Sequence, residues 1–155
     1  MSGMAAFDAL TSAAGGAGGR APTAAEAWLG TGVRFPIRPQ GAGGGYAGGL
    51  GWASGEALIR QSIETILDTE PGERVMRPTF GCGLRRYLMA PNTTATRTAL
   101  SEEISEALTR WEPRIRVTEV AVTPGEEPTM VWIDIAYARL VDLRPDNLVY
   151  PFYLR

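Results

Sequence analysis

The stretch TRWEPRIRVTEVAV (residues 109–122) contains the point at which a helical pattern of apolar residues gives way to a strand pattern. The apolar positions before it share one helical face: Ala95 or Thr96, Leu100, Ile104, Ala107, Leu108 and Trp111. Those after it alternate, with a bulge in the middle: Ile115, Val117, Val120 and Val122. Pro113 ends the helix because proline lacks the N–H that a helix interior requires. The chain therefore mixes helices and strands.

An earlier segment predicts a first helix. Ser54 is its predicted N-cap, Glu56 lies in the first turn, and Pro71 and Gly72 stop the helix near Thr69. The apolar positions between them share one face: Leu58, Ile59, Ile63, Ile66 and Leu67. The second helix, which leads into the stretch quoted above, starts at Asn92, Thr93 or Thr94.

Two further segments predict strands after the strand 114–124. Residues 129–141 alternate, and residues 148–155 (LVYPFYLR) are apolar but contain Pro151, which places that strand at a sheet edge. Residues 28–38 form an extended edge piece, and Val75–Met76 a short extended one. The predicted fold class is α+β, with two main helices and a small antiparallel sheet of three to four strands.

Glycine divides the chain, since fifteen of its 19 glycines precede residue 56. Residues 1–27 are rich in Ala and Gly and are predicted to be a flexible N-terminal arm, followed by one domain over residues 28–155. The glycine-rich segment 39–55 is interpreted as a flexible loop. It lacks the Gly-Lys-Ser/Thr ending and the frame of a phosphate-binding loop.

Composition excludes several classes of function. The net charge of −2 argues against a nucleic-acid partner, because there is no basic excess to neutralise phosphates. The absence of histidine removes the commonest general base and metal ligand, and the single cysteine excludes an internal disulfide and a multi-cysteine zinc site. No metal and no cofactor are expected. No apolar run reaches the roughly 20 residues that span a membrane, and the N-terminus does not resemble a secretory signal.

The order of the segments resembles the phage baseplate wedge family, also called tail-lysozyme-like. The matching segments are GTGVRFPI, IRQSIETILDTEPGERVMRPTFGCGL, the helix ending in WEPRI, and NLVYPFYL. The resemblance implies a structural protein, not an enzyme, that anchors and starts sheath assembly around the inner tube. It also implies six copies assembled in the cytoplasm into a phage-tail-like particle. The implied partners are the sheath protein, the core bundle of the large wedge subunits, and inner tube or hub proteins.

Three groups of residues are candidates for partner binding. The resemblance places Glu112, Pro113 and Arg114 on the wedge core bundle; the alternative is an internal salt bridge that locks the helix–strand corner. Glu73, Arg74 and Arg77 either pair internally or bind neighbouring subunits. The third group lies on the C-terminal strand, where a sheath strand could pair with an open edge: Val149, Tyr150, Phe152 and Tyr153. The alternative is that residues 28–38 cover this edge within the same chain.

A peptidoglycan-degrading, lysozyme-like enzyme is the alternative function. A glycosidase needs two carboxylates across a sugar cleft, one of them with a raised pKa. Glu112 would be the acid and Glu73 or Asp134 its mate, but no pattern sets such a pair into a cleft. Cys82 is interpreted as a small turn or core residue, because no histidine is available to activate it.

Overall fold

A computed structural model describes residues 28–37, 39–40 and 49–154. The two helices are α1 (Gly55–Asp68) and α2 (Thr94–Trp111), with a short 3₁₀ helix between them (Leu84–Tyr87). The strands are β1 (Thr31–Val33), β2 (Pro39–Gln40), β3 (Gly49–Leu50), β4 (Trp52–Ser54), β5 (Ile115–Pro124), β6 (Met130–Arg139) and β7 (Pro145–Tyr153). The described residues thus confirm the predicted α+β class.

Helix α1 follows its predicted bounds. Ser54 occupies the N-cap position, although its side chain makes no capping hydrogen bond, and Thr69 is the C-cap. The predicted apolar face is buried through Ile59, Ile63, Ile66 and Leu67. Gln61, on another face of the helix, accepts a hydrogen bond from Phe35 N and donates one to Val33 O, each 2.9 Å long. These bonds fasten the segment around β1 to α1.

Helix α2 begins at one of the predicted caps. The Thr93 hydroxyl accepts a hydrogen bond from Thr96 N at 3.2 Å, which satisfies one of the N–H groups that lack a partner at a helix start. The helix ends at Trp111, and Glu112 is its C-cap. Its buried residues are Leu100, Ile104, Ala107 and Leu108, all on the predicted face.

Strands β5, β6 and β7 form an antiparallel sheet with β6 in the centre. The register of β5 on β6 shifts between Val117 and Glu119, so the predicted bulge is confirmed. Alternate residues of β6 are buried on one face of the sheet: Val131, Ile133, Ile135 and Tyr137. They join the apolar faces of α1 and α2 in a single core.

Three predictions about the elements need correction. The segment 39–55 is not only a loop: β2 pairs with β3, and β4 pairs with β1, with Val33 opposite Trp52. Residues 75–76 are a turn instead of an extended piece, because the chain folds back and Gly72 N donates to Pro78 O at 2.7 Å. Strand β7 begins at Pro145, three residues before its predicted start.

The predicted arm, residues 1–27, and the centre of the predicted loop, residues 41–48, lie outside the described residues. Among the residues that the structure does describe, no helix is both long enough and apolar enough to cross a membrane.

Candidate docking site at the helix–strand corner

A bidentate ion pair joins Glu112 and Arg114 at the corner between α2 and β5. Arg114 Nε donates to Glu112 Oε1 at 2.6 Å, and Arg114 Nη2 donates to Glu112 Oε2 at 2.5 Å. The third nitrogen, Nη1, donates to the carbonyl oxygen of Leu29 at 2.6 Å. Proline between the two charged residues restricts the backbone, which favours this geometry. The corner thereby ties the segment before β1 to the end of α2.

Because Glu112 is buried, breaking this ion pair would cost more stability than breaking a surface salt bridge. Glu112 is only 1% exposed, whereas the side chain of Arg114 is 28% exposed. Burial by itself raises the pKa of Glu112, but hydrogen bonds from Arg114 and Ser62 and the positive charge of Arg114 outweigh that effect. The pKa of Glu112 therefore lies below its usual value, and the side chain is a carboxylate at neutral pH.

The internal charge pair, one of the two interpretations of the triplet, is thus present in the folded chain. What remains accessible at the corner is Pro113, which is exposed, and the outer part of the Arg114 side chain. All three guanidinium nitrogens of Arg114 already donate within the chain. A partner at this corner would therefore contact a preformed shape and not a free charge.

For Glu73, Arg74 and Arg77, the sequence left internal pairing and binding to neighbouring subunits as alternatives. Glu73 pairs with Arg85 at 2.9 Å and accepts a hydrogen bond from Glu70 N at 3.0 Å. The Arg74 guanidinium stacks on the Phe80 ring, 3.8 Å from its centroid. Arg77 forms no ion pair within the part of the chain that the structure describes. Internal pairing thus holds for Glu73, but with a partner that sequence spacing did not indicate.

An aromatic contact joins this loop to the corner. The rings of Phe80 and Trp111 lie 5.3 Å apart and are tilted by 54°, and Arg110 covers Trp111 at 4.9 Å. The row of stacked side chains runs from Arg74 through Phe80 and Trp111 to Arg110. Sequence reasoning missed this row because Phe80 and Trp111 are far apart along the chain. The sequence signal for this row was the presence of one aromatic residue in each of two separate motifs, Phe80 and Trp111.

Strand β7 has one edge that no described strand covers. Leu154 N donates to Thr129 O at 2.5 Å, so the N–H groups of even-numbered residues in this region point toward β6. Because the direction alternates along a strand, the main-chain groups of Val149, Pro151 and Tyr153 point to the open edge. An N–H at position 151 would point away from β6, so Pro151 removes no hydrogen bond between β6 and β7. The predicted edge position of this strand is confirmed.

The four candidate residues of β7 divide between two faces of the sheet. Val149 and Tyr153 have exposed side chains. Tyr150 and Phe152 pack against the core, and the Tyr150 hydroxyl donates to the Asp68 carboxylate of α1. A partner strand would therefore reach Tyr150 and Phe152 only through the main chain of their neighbours.

The carboxylates considered for catalysis do not line the groove between α2 and β5. An open groove of about 670 Å³ lies between α2 and β5. Its lining is Ser101, Glu102, Ser105, Glu106, Thr109, Arg110, Val117, Thr118, Glu119 and Val120, and it includes none of Glu112, Glu73 and Asp134. Within the described ranges, no cluster of three or more Cys, Asp or Glu side chains could hold a metal ion. Burial raises the pKa of the Cys82 thiol to about 12, as expected for a core residue.

Comparison with known proteins identifies the family. The family model described as "Baseplate wedge protein gp25" matches residues 53–142, which run from β4 to the turn after β6 and include the corner. The chain belongs to this family. Its match covers more than half of the chain, so the resemblance inferred from sequence segments is confirmed.

One relative and two solved structures are similar to the chain. Baseplate wedge protein gp25 of Enterobacteria phage T4 is 30% identical over 90 residues, which is 58% of this chain and 67% of the phage protein. A crystal structure of a candidate tail lysozyme from Geobacter sulfurreducens is 43% identical, with a TM-score of 0.62, and the match covers 66% of this chain and 94% of that one. A chain in the six-fold symmetrised baseplate of the anti-feeding prophage shares the fold at 23% identity, with a TM-score of 0.60, over 84% of this chain and 90% of that one.

Proposed function

We propose that this protein is a structural baseplate subunit of a phage-tail-like contractile injection system, and that it starts sheath assembly around the inner tube. Membership of the baseplate wedge family supports a structural role, and the T4 relative is named for that role. The proposed partners are the sheath protein, the core bundle of the large wedge subunits, and tube or hub proteins. Six copies would assemble in the cytoplasm as part of the particle.

The observation that carries sheath initiation is the open edge of β7. It presents main-chain N–H groups at Val149 and Tyr153, separated by Pro151, which has none. An apolar edge that no strand of the described residues covers invites pairing with another strand, which is normally an aggregation hazard. A strand of the first sheath subunit would use these groups as the template for β-strand addition.

The helix–strand corner is the proposed contact with the wedge subunits. Pro113 and the accessible part of Arg114 form its surface, and the buried Glu112 holds that surface in place. Because the corner is rigid before binding, a partner would not have to order it. The corner and the β7 edge would let one subunit join the baseplate to the sheath.

A proline substitution tests strand addition without changing the sheet. Val149→Pro removes an outward N–H and leaves the β6–β7 hydrogen bonds intact, whereas Val149→Ala removes only side-chain atoms. We expect baseplates carrying Val149→Pro to start sheath polymerisation much more slowly than wild type, and baseplates carrying Val149→Ala to start it at the normal rate. The rate is measured by electron microscopy of sheaths grown on purified baseplates. Normal nucleation by a folded Val149→Pro protein would refute pairing at this edge.

The alternative, a peptidoglycan-degrading tail enzyme, draws on the candidate tail lysozyme from Geobacter sulfurreducens. The state of Glu112 argues against it, since a general acid needs a raised pKa and Glu112 has a lowered one. Both of its oxygens also accept hydrogen bonds from Arg114. We therefore propose that the corner is structural and not catalytic.

A further inference from the structure

The loop between α1 and the 3₁₀ helix exposes two apolar side chains at its tip. Val75 is 94% exposed and Met76 is 91% exposed. Neither the core nor the candidate sites described above use them. Exposed apolar residues are common singly, but two adjacent ones on a projecting turn form a small knob that gains free energy when it is covered.

The loop that carries this knob is held at its base by several contacts. Gly72 N donates to Pro78 O at 2.7 Å, and Cys82 N donates to Thr69 O at 2.9 Å. Gly81 adopts a φ of +114°, and a Cβ there would lie 2.1 Å from Thr69 O, so this close approach requires glycine. The Glu73–Arg85 ion pair and the packing of Phe80 on Trp111 anchor its two arms.

The residues that flank the knob along the chain are arginines. Glu73 is neutralised by Arg85, which leaves Arg74 and Arg77 on either side of Val75 and Met76. Both arginines are exposed. Arginine and methionine are enriched at protein interfaces, where the guanidinium binds carboxylates in a defined geometry. The surface complementary to this tip is an apolar pocket with carboxylates at its rim.

We propose that Val75 and Met76 form an anchor that inserts into an apolar, acid-rimmed pocket on a large wedge subunit, and that Arg77 pairs with a carboxylate at the rim. The proposal rests on the proposed baseplate function and adds a second contact to the corner. The row from Phe80 to Trp111 connects the two contacts, so one partner could engage both. Because hydrogen bonds and packing hold the loop at its base, docking would have to order little of its backbone.

A protein pocket fits this tip better than a lipid surface does. The tip has no Trp, Tyr or Phe, the residues that anchor proteins at the membrane interface, and only two apolar side chains. Two arginines contribute a modest attraction to anionic lipids, well below that of the basic clusters that bind them.

Binding of the full-length chain to the purified large wedge subunits of its own particle tests the anchor. We expect the double substitution Val75→Ser and Met76→Ser to raise the dissociation constant by about tenfold or more and to leave the melting temperature unchanged. Met89→Ser is the matched control, because Met89 is 81% exposed and lies outside the tip. Arg77→Gln should reduce the dependence of the binding constant on salt.

The outcomes separate this inference from the function on which it rests. If the wild-type chain binds the wedge subunits and the double variant binds equally well, the anchor is wrong and the baseplate function stands. If the wild-type chain does not bind them at all, both are wrong. Vesicles of phosphatidylglycerol and phosphatidylethanolamine that sediment with wild type and not with the double variant would show a membrane anchor and overturn the proposal.

Discussion

Arg114 is the residue with the largest predicted effect on stability. Its guanidinium holds the buried carboxylate of Glu112 and the carbonyl of Leu29, so its removal would leave a charge without a partner in the protein interior. The sequence left open whether the triplet docks on a partner or forms an internal salt bridge. The burial of Glu112 makes the internal pair important for stability, because an unpaired buried charge is costly.

Arg114→Ala should lower the free energy of unfolding by about 3–5 kcal/mol, as expected when one partner of a buried ion pair is removed. Arg116→Ala is the control, since Arg116 is exposed on the neighbouring strand. Chemical denaturation followed by circular dichroism measures both. If the two variants unfold at the same denaturant concentration, the ion pair does not stabilise the corner. A binding defect of Arg114→Ala can then be interpreted only after its stability is known.

The same pair makes stability depend on pH. Because the pKa of Glu112 is lower in the folded chain than in the unfolded chain, its contribution is fully present above the unfolded value, about 4.3 for glutamate. The contribution is lost as the pH falls through the lowered folded value. Glu112→Gln cannot titrate, so the stability difference between wild type and this variant should be largest near pH 7 and shrink in acid. A stability difference between wild type and Glu112→Gln that stays constant across this pH range would contradict the linkage.

Among the elements, the two helices and the three long strands were predictable, and of the four short strands only β1 lies in a segment predicted to be extended. The periodicity of apolar residues predicts helix α1 and strand β6, because these residues recur on one face of each element. Strand β3 contains Gly49, and Gly51 precedes β4, so this segment shows no alternation of apolar and polar residues. Their pairing depends on chain segments brought together by the rest of the fold, such as β1 held by Gln61. The contact of Arg114 with Leu29 is equally invisible in sequence, because the two residues are 85 positions apart.

The alternation of main-chain groups along β7 predicts opposite results for two proline substitutions. Phe152 directs its N–H toward β6, so Phe152→Pro should remove a ladder hydrogen bond, lose core packing and lower the melting temperature strongly. Val149→Pro should melt near wild type, because its N–H points to the open edge. Thermal unfolding monitored by circular dichroism compares them. If Val149→Pro is the more destabilising of the two, the N–H of Val149 points toward β6 and not to the open edge.

At the scale of the whole molecule, the three candidate surfaces fall into two groups. The loop tip and the helix–strand corner are connected through Phe80 and Trp111, whereas the β7 edge belongs to the three-stranded sheet. The sequence motifs identified the corner and the edge separately. Only the folded chain shows that the loop and the corner share one row of contacts, because packing of distant residues creates that row. The proposed function assigns these two groups of surfaces to different partners.

Peptidoglycan hydrolysis separates the structural and enzymatic interpretations of the whole molecule. Glycosidases place two carboxyl groups about 5–10 Å apart across a sugar, and the acid must hold a proton at working pH. Glu112 is an ionised, buried ion-pair partner, and the open groove between α2 and β5 does not contain it. We therefore expect purified protein to clear a peptidoglycan suspension no faster than buffer between about pH 4 and pH 8, a range that covers the usual glycosidase acids. Turbidity measures the clearing, with an active lysozyme as positive control. Clearing by the wild-type protein that disappears in a folded Glu112→Gln variant would make the corner catalytic and overturn the structural role proposed for it.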